Sequence, residues 1–167
     1  MLQLRDLPTP EILGKFAERY PDADVTAIAS FLYLLRVATD LSLALDTCLS
    51  KHDLLQGRWW VLILLMREES TTSTPSILAD KLGVTRATMT GLLDGLEQSG
   101  LVTRVFVKED RRSVKIRLTG AGQAKLDVVM PDYYRRLRQC MQGLDEEKRV
   151  QLQQLLGLIN QGIPALI

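Results

Sequence analysis

The residues of this sequence best suited to binding chemistry are basic ones, and they are concentrated in one short stretch. From position 101 to position 119, six basic residues stand against two acidic ones, a net charge of +4, whereas the whole chain of 167 residues has a formal net charge of +1. A basic patch on a nearly neutral protein indicates contact with nucleic acid, and a solvated charged hairpin is the alternative. The six residues are Arg104, Lys108, Arg111, Arg112, Lys115 and Arg117.

Enzymatic and metal chemistry have little support in the sequence. It contains one histidine, His52, and two cysteines far apart, Cys48 and Cys140. It lacks clustered metal ligands, a phosphate-binding glycine loop and a nucleophile motif. We therefore expect a protein that is not an enzyme and that holds no metal or cofactor.

The sequence also bears on the cellular compartment. Two separated cysteines are typical of a reducing environment, and the first residues, MLQLRDLPTPE, include acids and prolines where a secretion signal needs an apolar segment. The longest unbroken apolar run, from Trp59 to Met66, is too short to cross a bilayer. We expect a cytoplasmic protein with no membrane contact.

The basic stretch is predicted to form a β-hairpin behind a pair of helices. The alternating segments LVTRVFV and SVKIRL flank the charged residues KEDRR, which would form its tip. Before it, TRATMTGLLDGLEQSG predicts a helix that Thr85 caps and Gly100 ends. A shorter helix opens at Pro75 and ends at Gly83, and the preceding STTSTPS is predicted as a loop. Together these elements make a winged helix-turn-helix.

Longer helices are predicted on both sides of this domain. Upstream, helices are expected at residues 9–20, 24–50 and 54–68, of which the last is apolar all round and should be buried. Downstream, a long helix interrupted at Pro131 precedes a last helix capped by Asp145. The fold class is therefore mainly α with a small β-hairpin. The expected domains are residues 1–50, the N-terminal helices; 51–119, the winged domain; and 120–167, the C-terminal helices.

Three segments resemble the MarR family of transcriptional regulators. DRRSVKIRLT fits the family's wing pattern D-x-R-x-x-x-[VI]-x-L-T, ILADKLGVTRATMTGLLDGLEQSGLV looks like its helix-turn-helix, and GLDEEKRVQLQQLL is similar to its last helix. The resemblance implies a homodimer, joined through the first and last helices, that binds a pseudo-palindromic site in double-stranded DNA. Members of the family are usually repressors that are relieved by small aromatic ligands or by thiol oxidation.

The helix from Thr85 to Gly100 would then be the recognition helix. Successive residues lie about 100° apart on a helix, which separates an apolar face from a polar one. Recognition helices contact bases with their N-terminal turns, so Arg86, Ala87 and Thr90 are predicted base contacts, and Thr85 and Thr88 are predicted phosphate contacts. The predicted core face holds Met89, Leu92, Leu93 and Leu96, and the polar face holds Ala87, Thr90, Asp94 and Gln98.

Two glycines interrupt this helix, and each should cost about 1 kcal/mol relative to alanine. Gly91 borders the polar face, where the lack of a side chain lets backbone and DNA come closer. Gly95 lies on the flank toward the core, where a neighbouring element can pack closely. Many family members have arginine at both positions, so the contacts of those arginines are not carried over. More of the binding is therefore expected from the wing and from backbone amides.

Arg112 is the residue on which the predicted DNA contact depends most. A wing-tip arginine reaches the minor groove, where narrow A·T tracts enhance the negative potential. Asp110 matches the family acid that orients this arginine, and Lys108, Arg111 and Lys115 are predicted phosphate contacts. In the alternative interpretation, Arg112 only pairs with Asp110 on a solvent-exposed turn.

The resemblance also implies a ligand pocket between the dimer helices and the winged domain. Aromatic rings with a nearby cation would suit a small aromatic carboxylate, although Trp59 is alternatively a core residue and His52 a surface or capping residue. The candidate lining residues are Phe31, Tyr33, Arg36, His52, Arg58, Trp59 and Trp60.

Two other functions stay open at this stage. One is a winged-helix module that binds a protein and not DNA, which Gly91 and Gly95 leave possible. The other is a redox-sensing variant of the same regulator, because Cys140 lies in RRLRQCM, among cations that favour a reactive thiol. For both Cys48 and Cys140 we favour buried, unreactive thiols.

Overall fold

The computed structural model describes residues 5–107 and 110–167, without the side chains of residue 107 and residues 110–113. The chain divides into two compact units, of which the first ends at Thr119 and the second comprises Gly120–Ile167. Within the described residues, the first unit contains five α-helices and a three-stranded sheet, and the second contains two α-helices and a short 3-10 helix. The mainly helical fold class with a small β-hairpin is confirmed.

The two N-terminal helices begin where the sequence predicts. They are α1 (Pro10–Arg19) and α2 (Val25–Ser50). Asp24 caps α2, since its carboxylate accepts hydrogen bonds from the amides of Thr26 and Ala27 at 2.9 Å and 3.0 Å. The bond from the Ala27 amide, followed by one that the Thr26 hydroxyl donates at 2.7 Å, lowers the pKa of Asp24 because it stabilises the charged form.

The next three helices form the helix-turn-helix and its support. They are α3 (Gln56–Met66), α4 (Pro75–Leu82) and α5 (Arg86–Gln98). α4 ends at Gly83, whose φ of +65° is a left-handed conformation that glycine adopts without strain. Their fully buried side chains form the centre of the first unit and are those of Trp59, Val61, Leu62, Leu65, Leu78, Met89, Leu93 and Leu96.

α3 and α5 approach each other closely at two glycines. A Cβ added to Gly57 of α3 would lie 2.9 Å from the Cδ2 atom of Leu92 on α5. In return, a Cβ added to Gly95 of α5 would run into the guanidinium group of Arg58 on α3. Glycine on both helices therefore lets α3 support α5 at short range.

The wing is an antiparallel sheet with the strand order β1-β3-β2. β2 (Val102–Val107) and β3 (Asp110–Leu118) form the predicted hairpin. β3 begins at Asp110, three residues before the predicted strand, so the charged segment expected to form the tip contributes part of this strand. The register shifts between Phe106 and Val107, at the end of β2.

A third strand, β1 (Thr72–Ser73), was not predicted, and the expectation of a loop from Ser70 to Ser76 is wrong at these two residues. β1 pairs with β3 through Thr72 opposite Arg117 and Ser73 opposite Ile116. A two-residue strand is too short to show alternation in the sequence, so only the long-range pairing reveals it.

The second unit contains α6 (Gly120–Cys140), α7 (Glu146–Gly162) and a 3-10 helix at Ile163–Leu166. α6 continues through Pro131, so the predicted interruption there is wrong. Proline removes one backbone hydrogen bond from a helix, and α6 continues before and after Pro131 without that bond. Asp145 caps α7 as predicted and accepts a hydrogen bond from the amide of Lys148 at 2.9 Å.

α2 meets the length and composition criteria for a helix that crosses a membrane, with a mean hydropathy of 1.6 over its most apolar window. α2 does not stand out as an unbroken apolar run in the sequence, because the charged residues Arg36 and Asp40 interrupt it. Helices of soluble proteins that pack against a protein partner meet the same criteria. The finding is therefore weak evidence for a membrane.

Candidate DNA interface

The first turns of α5 present a continuous exposed surface. Thr85 caps the helix, since its Oγ1 accepts a hydrogen bond from the amide of Thr88 at 3.1 Å. The hydroxyl groups of the same two residues lie 3.0 Å apart. One hydroxyl hydrogen joins this pair, so the other hydroxyl hydrogen is left to donate to a partner such as a phosphate. All six residues predicted for this surface are exposed: Thr85, Arg86, Ala87, Thr88, Thr90 and Gly91.

Thr90 uses its hydroxyl hydrogen within the helix. The hydroxyl donates to the carbonyl of Arg86 at 2.9 Å. Its oxygen can still accept a hydrogen bond, and its methyl group can make apolar contact, which is how a threonine meets the methyl group of thymine. This geometry is compatible with the predicted base contact, which stays a prediction.

The opposite face of α5 is buried, as the angular spacing predicts. Met89, Leu93 and Leu96 are buried and Leu92 is half-buried. A helix with one face anchored in this way presents its other face in a fixed orientation. The exposed N-terminal turns are therefore held in place by the core and not by the surface residues themselves.

The two glycines of α5 occupy different surroundings. A Cβ added to Gly91 would meet no heavy atom within 4 Å, so this position faces open space in the described structure. A Cβ added to Gly95 would lie 2.5 Å from Cζ and 2.8 Å from Nε of Arg58. The interpretation of Gly95 as a close-packing position is confirmed, and the packed group is the guanidinium of Arg58.

The charge count includes Arg104 in the basic patch, but in the structure two carboxylates pair with its guanidinium. Its Nη2 donates to Oδ1 of Asp94 at 2.6 Å, and its Nη1 donates to Oε2 of Glu97. Its backbone amide also donates to Oε1 of Glu97, at 3.1 Å. The hydrogen bond to Asp94 is the largest of the effects that raise the pKa of Arg104, and partial burial opposes them.

Sequence reasoning missed this arrangement, although a signal was present. In the alternating strand from Val102 to Val107, Arg104 is in phase with Val102, which is buried. Its β3 partner, Ile116, is buried as well. A charged residue on the inner face of a strand needs a partner of opposite charge, and two acids end the preceding helix.

The rest of the wing follows the expected alternation where it is described. Ile116 and Leu118 are buried, whereas Lys115 and Arg117 are exposed. Lys115 lines a surface cavity of about 480 Å³ beside the ion pair of Lys81 and Glu68, whose charged atoms are 2.5 Å apart. Lys108 lies outside the described residues, as do the side chains of Asp110, Arg111 and Arg112.

The seven candidates for a ligand pocket are spread over α2, the turn after it, and α3. Tyr33 lines a mostly apolar cavity of about 410 Å³, and the other six residues are not part of its lining. That lining consists of Leu7, Pro8, Pro10, Leu13, Ala29, Ser30, Leu32 and Tyr33.

The other candidates have individual environments. Trp59 is fully buried, in agreement with its interpretation as a core residue, and Phe31 is exposed on α2. Arg36 donates to Asp40 at 2.7 Å and to the carbonyl of Arg5 at 3.2 Å. His52, Arg58 and Trp60 are half-buried, and the guanidinium of Arg58 packs against Gly95. The pocket assignment stays a prediction.

The cysteines differ from each other. Cys48 is buried, as expected, whereas Cys140 is exposed, so the expectation of a buried thiol is wrong for Cys140. Cys140 is the last residue of α6, and the buried residues of that helix, Gly122, Leu126 and Val129, all lie in its first half.

Comparison with known proteins identifies the family. A family model described as MarR family matches residues 52–113. The HTH-type transcriptional repressor YetL of Bacillus subtilis (strain 168) is 30% identical over 156 residues, 93% of each chain. The HTH-type transcriptional regulator PecS of Dickeya dadantii (strain 3937) is 31% identical over 156 residues, 93% of this chain and 94% of its own.

Solved structures agree with these sequence relatives in fold. AbsC, a MarR family transcriptional regulator from Streptomyces coelicolor, has a TM-score of 0.74 at 22% identity and covers 81% of this chain and 93% of its own. Sco3205 of the same organism, another MarR family regulator, was solved in complex with DNA and has a TM-score of 0.74 at 22% identity, over 80% of this chain and 88% of its own. The relatives are regulators and not enzymes, which confirms the expectation of a non-enzymatic protein. The chain belongs to the MarR family and is a transcriptional regulator with a winged helix-turn-helix DNA-binding domain.

Proposed function

We propose that the protein is a cytoplasmic homodimeric repressor that binds a pseudo-palindromic site in double-stranded DNA and is released by a small aromatic ligand. The observation that carries this proposal is the exposed surface at the N-terminal turns of α5, opposite its buried face and next to the wing. YetL is named a repressor, and Sco3205 was solved with DNA, which supports the same activity here.

In this proposal α5 enters the major groove of each half-site. Arg86 can donate two hydrogen bonds to guanine, while Ala87 and the methyl group of Thr90 can contact thymine. Thr85 and Thr88 hold phosphates and set the register of the helix. Gly91 lets the backbone approach the DNA because no side chain stands there.

The wing contacts the flanking minor groove and backbone. Arg112, oriented by Asp110, enters the minor groove, and Lys108, Arg111 and Lys115 contact phosphates. Direct selection of bound duplexes from random-sequence DNA tests the whole assignment. We expect an inverted repeat with half-sites about one helical turn apart and with A·T-rich flanks.

Exposed apolar helices support the proposed dimer. In the first unit, α2 leaves Leu35, Leu41 and Leu43 about half exposed. In the second unit, α7 buries none of its residues within the described structure and exposes apolar ones such as Leu155 and Leu158. Monomers rarely expose apolar surface on this scale, so residues 1–50 and 120–167 are proposed as the dimerisation segments.

A charge placed on the exposed apolar face of α2 tests this dimer. In light scattering coupled to size exclusion, the protein should have twice the 18.8 kDa mass of one chain. Leu41→Glu should shift it toward the monomer, because a charge would be buried in the interface. Ile77→Glu is the control, since Ile77 is similarly exposed, at 45% against 49%, but lies on α4 of the winged domain. A wild-type monomer, or equal effects of the two variants, would refute the proposed interface.

Added salt is expected to weaken DNA binding steeply. Each phosphate neutralised by a cation contributes about 0.9 to the slope of log affinity against log salt concentration. With several candidate cations in each protomer, the slope for the dimer should be steeper than about −4. Fluorescence anisotropy on a selected duplex at several salt concentrations measures it. A flat response would instead support the alternative, a winged helix that binds a protein.

A further inference from the structure

Arg104 joins the wing to the recognition helix at Asp94 and Glu97, beyond the first turns of α5 that are proposed to contact DNA. It belongs to β2, and both of its side-chain partners, Asp94 and Glu97, belong to α5. Oε1 of Glu97 also accepts a hydrogen bond from the backbone amide of Arg104, at 3.1 Å. Arg104 is thus bound to Glu97 through both its main chain and its side chain, and to Asp94 through its side chain. We call Arg104, Asp94 and Glu97 the wing clasp.

The clasp sits where a small movement has a large effect at the tip. β2 extends three residues beyond Arg104, to Val107, which is about 10 Å of strand. A rotation of the hairpin by about 10° at Arg104 would displace the end of β2 by about 2 Å. Hydrogen bonds to DNA tolerate only a few tenths of an ångström, so the orientation of the hairpin relative to α5 decides whether both can contact one half-site.

The chemistry of the clasp suits this role. Guanidinium is a planar fork whose donors can reach two carboxylates at once, and an ammonium group lacks that fixed geometry. The side chain of Arg104 is 28% exposed, so solvent screens the pairs only in part. The hydrogen bond that Arg104 donates to Asp94 is the largest cause that raises its pKa, so this contact favours the charged guanidinium.

We propose that Arg104 is a positioning residue for DNA recognition, which fixes the wing against α5 through Asp94 and Glu97 so that both elements engage the same half-site. The inference rests on the proposed function, in which the helix and the wing contact DNA together. The inference adds a new residue and a new role to that function, because Arg104 acts through Asp94 and Glu97 and is not one of the proposed DNA contacts.

Positioning and simple charge repulsion predict opposite changes in DNA affinity when the two acids are removed. Asp94→Ala with Glu97→Ala removes both partners and makes the protein more positive by two charges per chain. If these acids only repelled phosphates, their removal would tighten binding to DNA. If they position the wing, the double variant should bind a duplex selected by the wild-type protein about tenfold more weakly, which equals about 1.4 kcal/mol.

A second readout separates a misplaced wing from a damaged protein. In the clasp variants, the preference for A·T over G·C pairs at the flanks should fall, while discrimination at the bases read by α5 is kept. Arg104→Gln should weaken binding as well, but should cost little in a protein that already carries Arg112→Ala, since the wing contact is then lost. Asp94→Ala alone is a milder variant on an exposed side chain, and it keeps the test usable if the double variant is unstable.

The outcomes distinguish the clasp from the proposed function. If Arg112→Ala weakens binding but the double variant binds as tightly as the wild type or more tightly, the clasp is refuted and the wing contact stands. The clasp is also refuted if Arg104→Gln has its full effect in the Arg112→Ala background. If Arg112→Ala has no effect on a duplex that the wild type binds, the wing contact and the clasp are refuted while binding through α5 stands. If the wild type binds no duplex, the proposed function itself is refuted.

Discussion

Replacing Arg112 by alanine is expected to weaken binding to a selected duplex by at least about tenfold while the protein stays folded. Loss of one arginine contact to DNA costs about 1–3 kcal/mol, and a dimer would lose two such contacts. The preference for A·T pairs at the flanks should fall with the affinity, because a narrow A·T minor groove concentrates the negative potential that attracts the arginine. Fluorescence anisotropy with flank-substituted duplexes measures both quantities.

Arg117→Ala is the matched control for this experiment. Arg117 is exposed and carries the same charge on the same strand, β3. It lies five residues further along that strand, where its backbone pairs with Thr72 and Thr103. Its loss should lower affinity by less than about threefold, as expected for a distant screened charge. Equal losses for Arg112→Ala and Arg117→Ala would reduce the wing to a nonspecific positive charge and contradict a minor-groove contact.

Local signals made most of this fold predictable from the sequence. Capping and helix termination depend on residues within one turn of each other, so Thr85, Gly83 and Asp145 marked helix ends at the positions where the structure has them. The angular map of α5 succeeded for the same reason, since a regular helix fixes which residues share a face. Pro131 is the exception, because α6 continues through a residue that usually ends or kinks a helix.

Long-range pairing explains most of what the sequence did not reveal. β1 exists only because Thr72 and Ser73 pair with residues more than forty positions later. The charge count placed Arg104 with the wing cations, whereas the turn at Gly100 brings it back against Glu97. Counting charges along the chain is a poor guide wherever a turn folds one charged segment onto another.

The candidate site residues also divide into those that a local pattern predicted and those that depend on long-range packing. The predicted DNA-reading residues lie on one helix, and their common exposure follows from its period. The ligand-pocket candidates come from separate elements, and their grouping rested on a family resemblance and not on a period. Arg58 illustrates the difficulty, because its position in the sequence gives no sign that its guanidinium packs over Gly95 of α5.

Replacing Gly91 by alanine is expected to move stability and DNA binding in opposite directions. Its Cβ would meet nothing within 4 Å, so the helix should gain about 0.5–1 kcal/mol in free energy of unfolding. The same methyl group would stand between the α5 backbone and the DNA. We expect binding to the selected duplex to weaken by about tenfold, which is about 1.4 kcal/mol. Thermal or urea unfolding and anisotropy measure the two effects.

Gly95 provides the comparison that isolates the cause. Gly95→Ala makes the same change in the same helix, but its Cβ displaces the guanidinium of Arg58, so the gain in stability should be reduced or lost. In a protein that also carries Arg58→Ala, the obstacle is gone and Gly95→Ala should stabilise about as much as Gly91→Ala. The difference between the two backgrounds, about 1 kcal/mol, measures the coupling between Gly95 and Arg58.

This comparison also decides why Gly91→Ala would weaken DNA binding. If stiffening of α5 were the reason, Gly95→Ala in the Arg58→Ala background would weaken binding relative to Arg58→Ala alone, because it stiffens the same helix. If close approach is the reason, only the methyl group at Gly91 matters, since Gly91 is open and Gly95 is buried against Arg58 of α3. Unchanged binding by Gly91→Ala would make that glycine a tolerated weakness of the helix, and would leave Arg86, Ala87 and Thr90 to set how closely α5 approaches the bases.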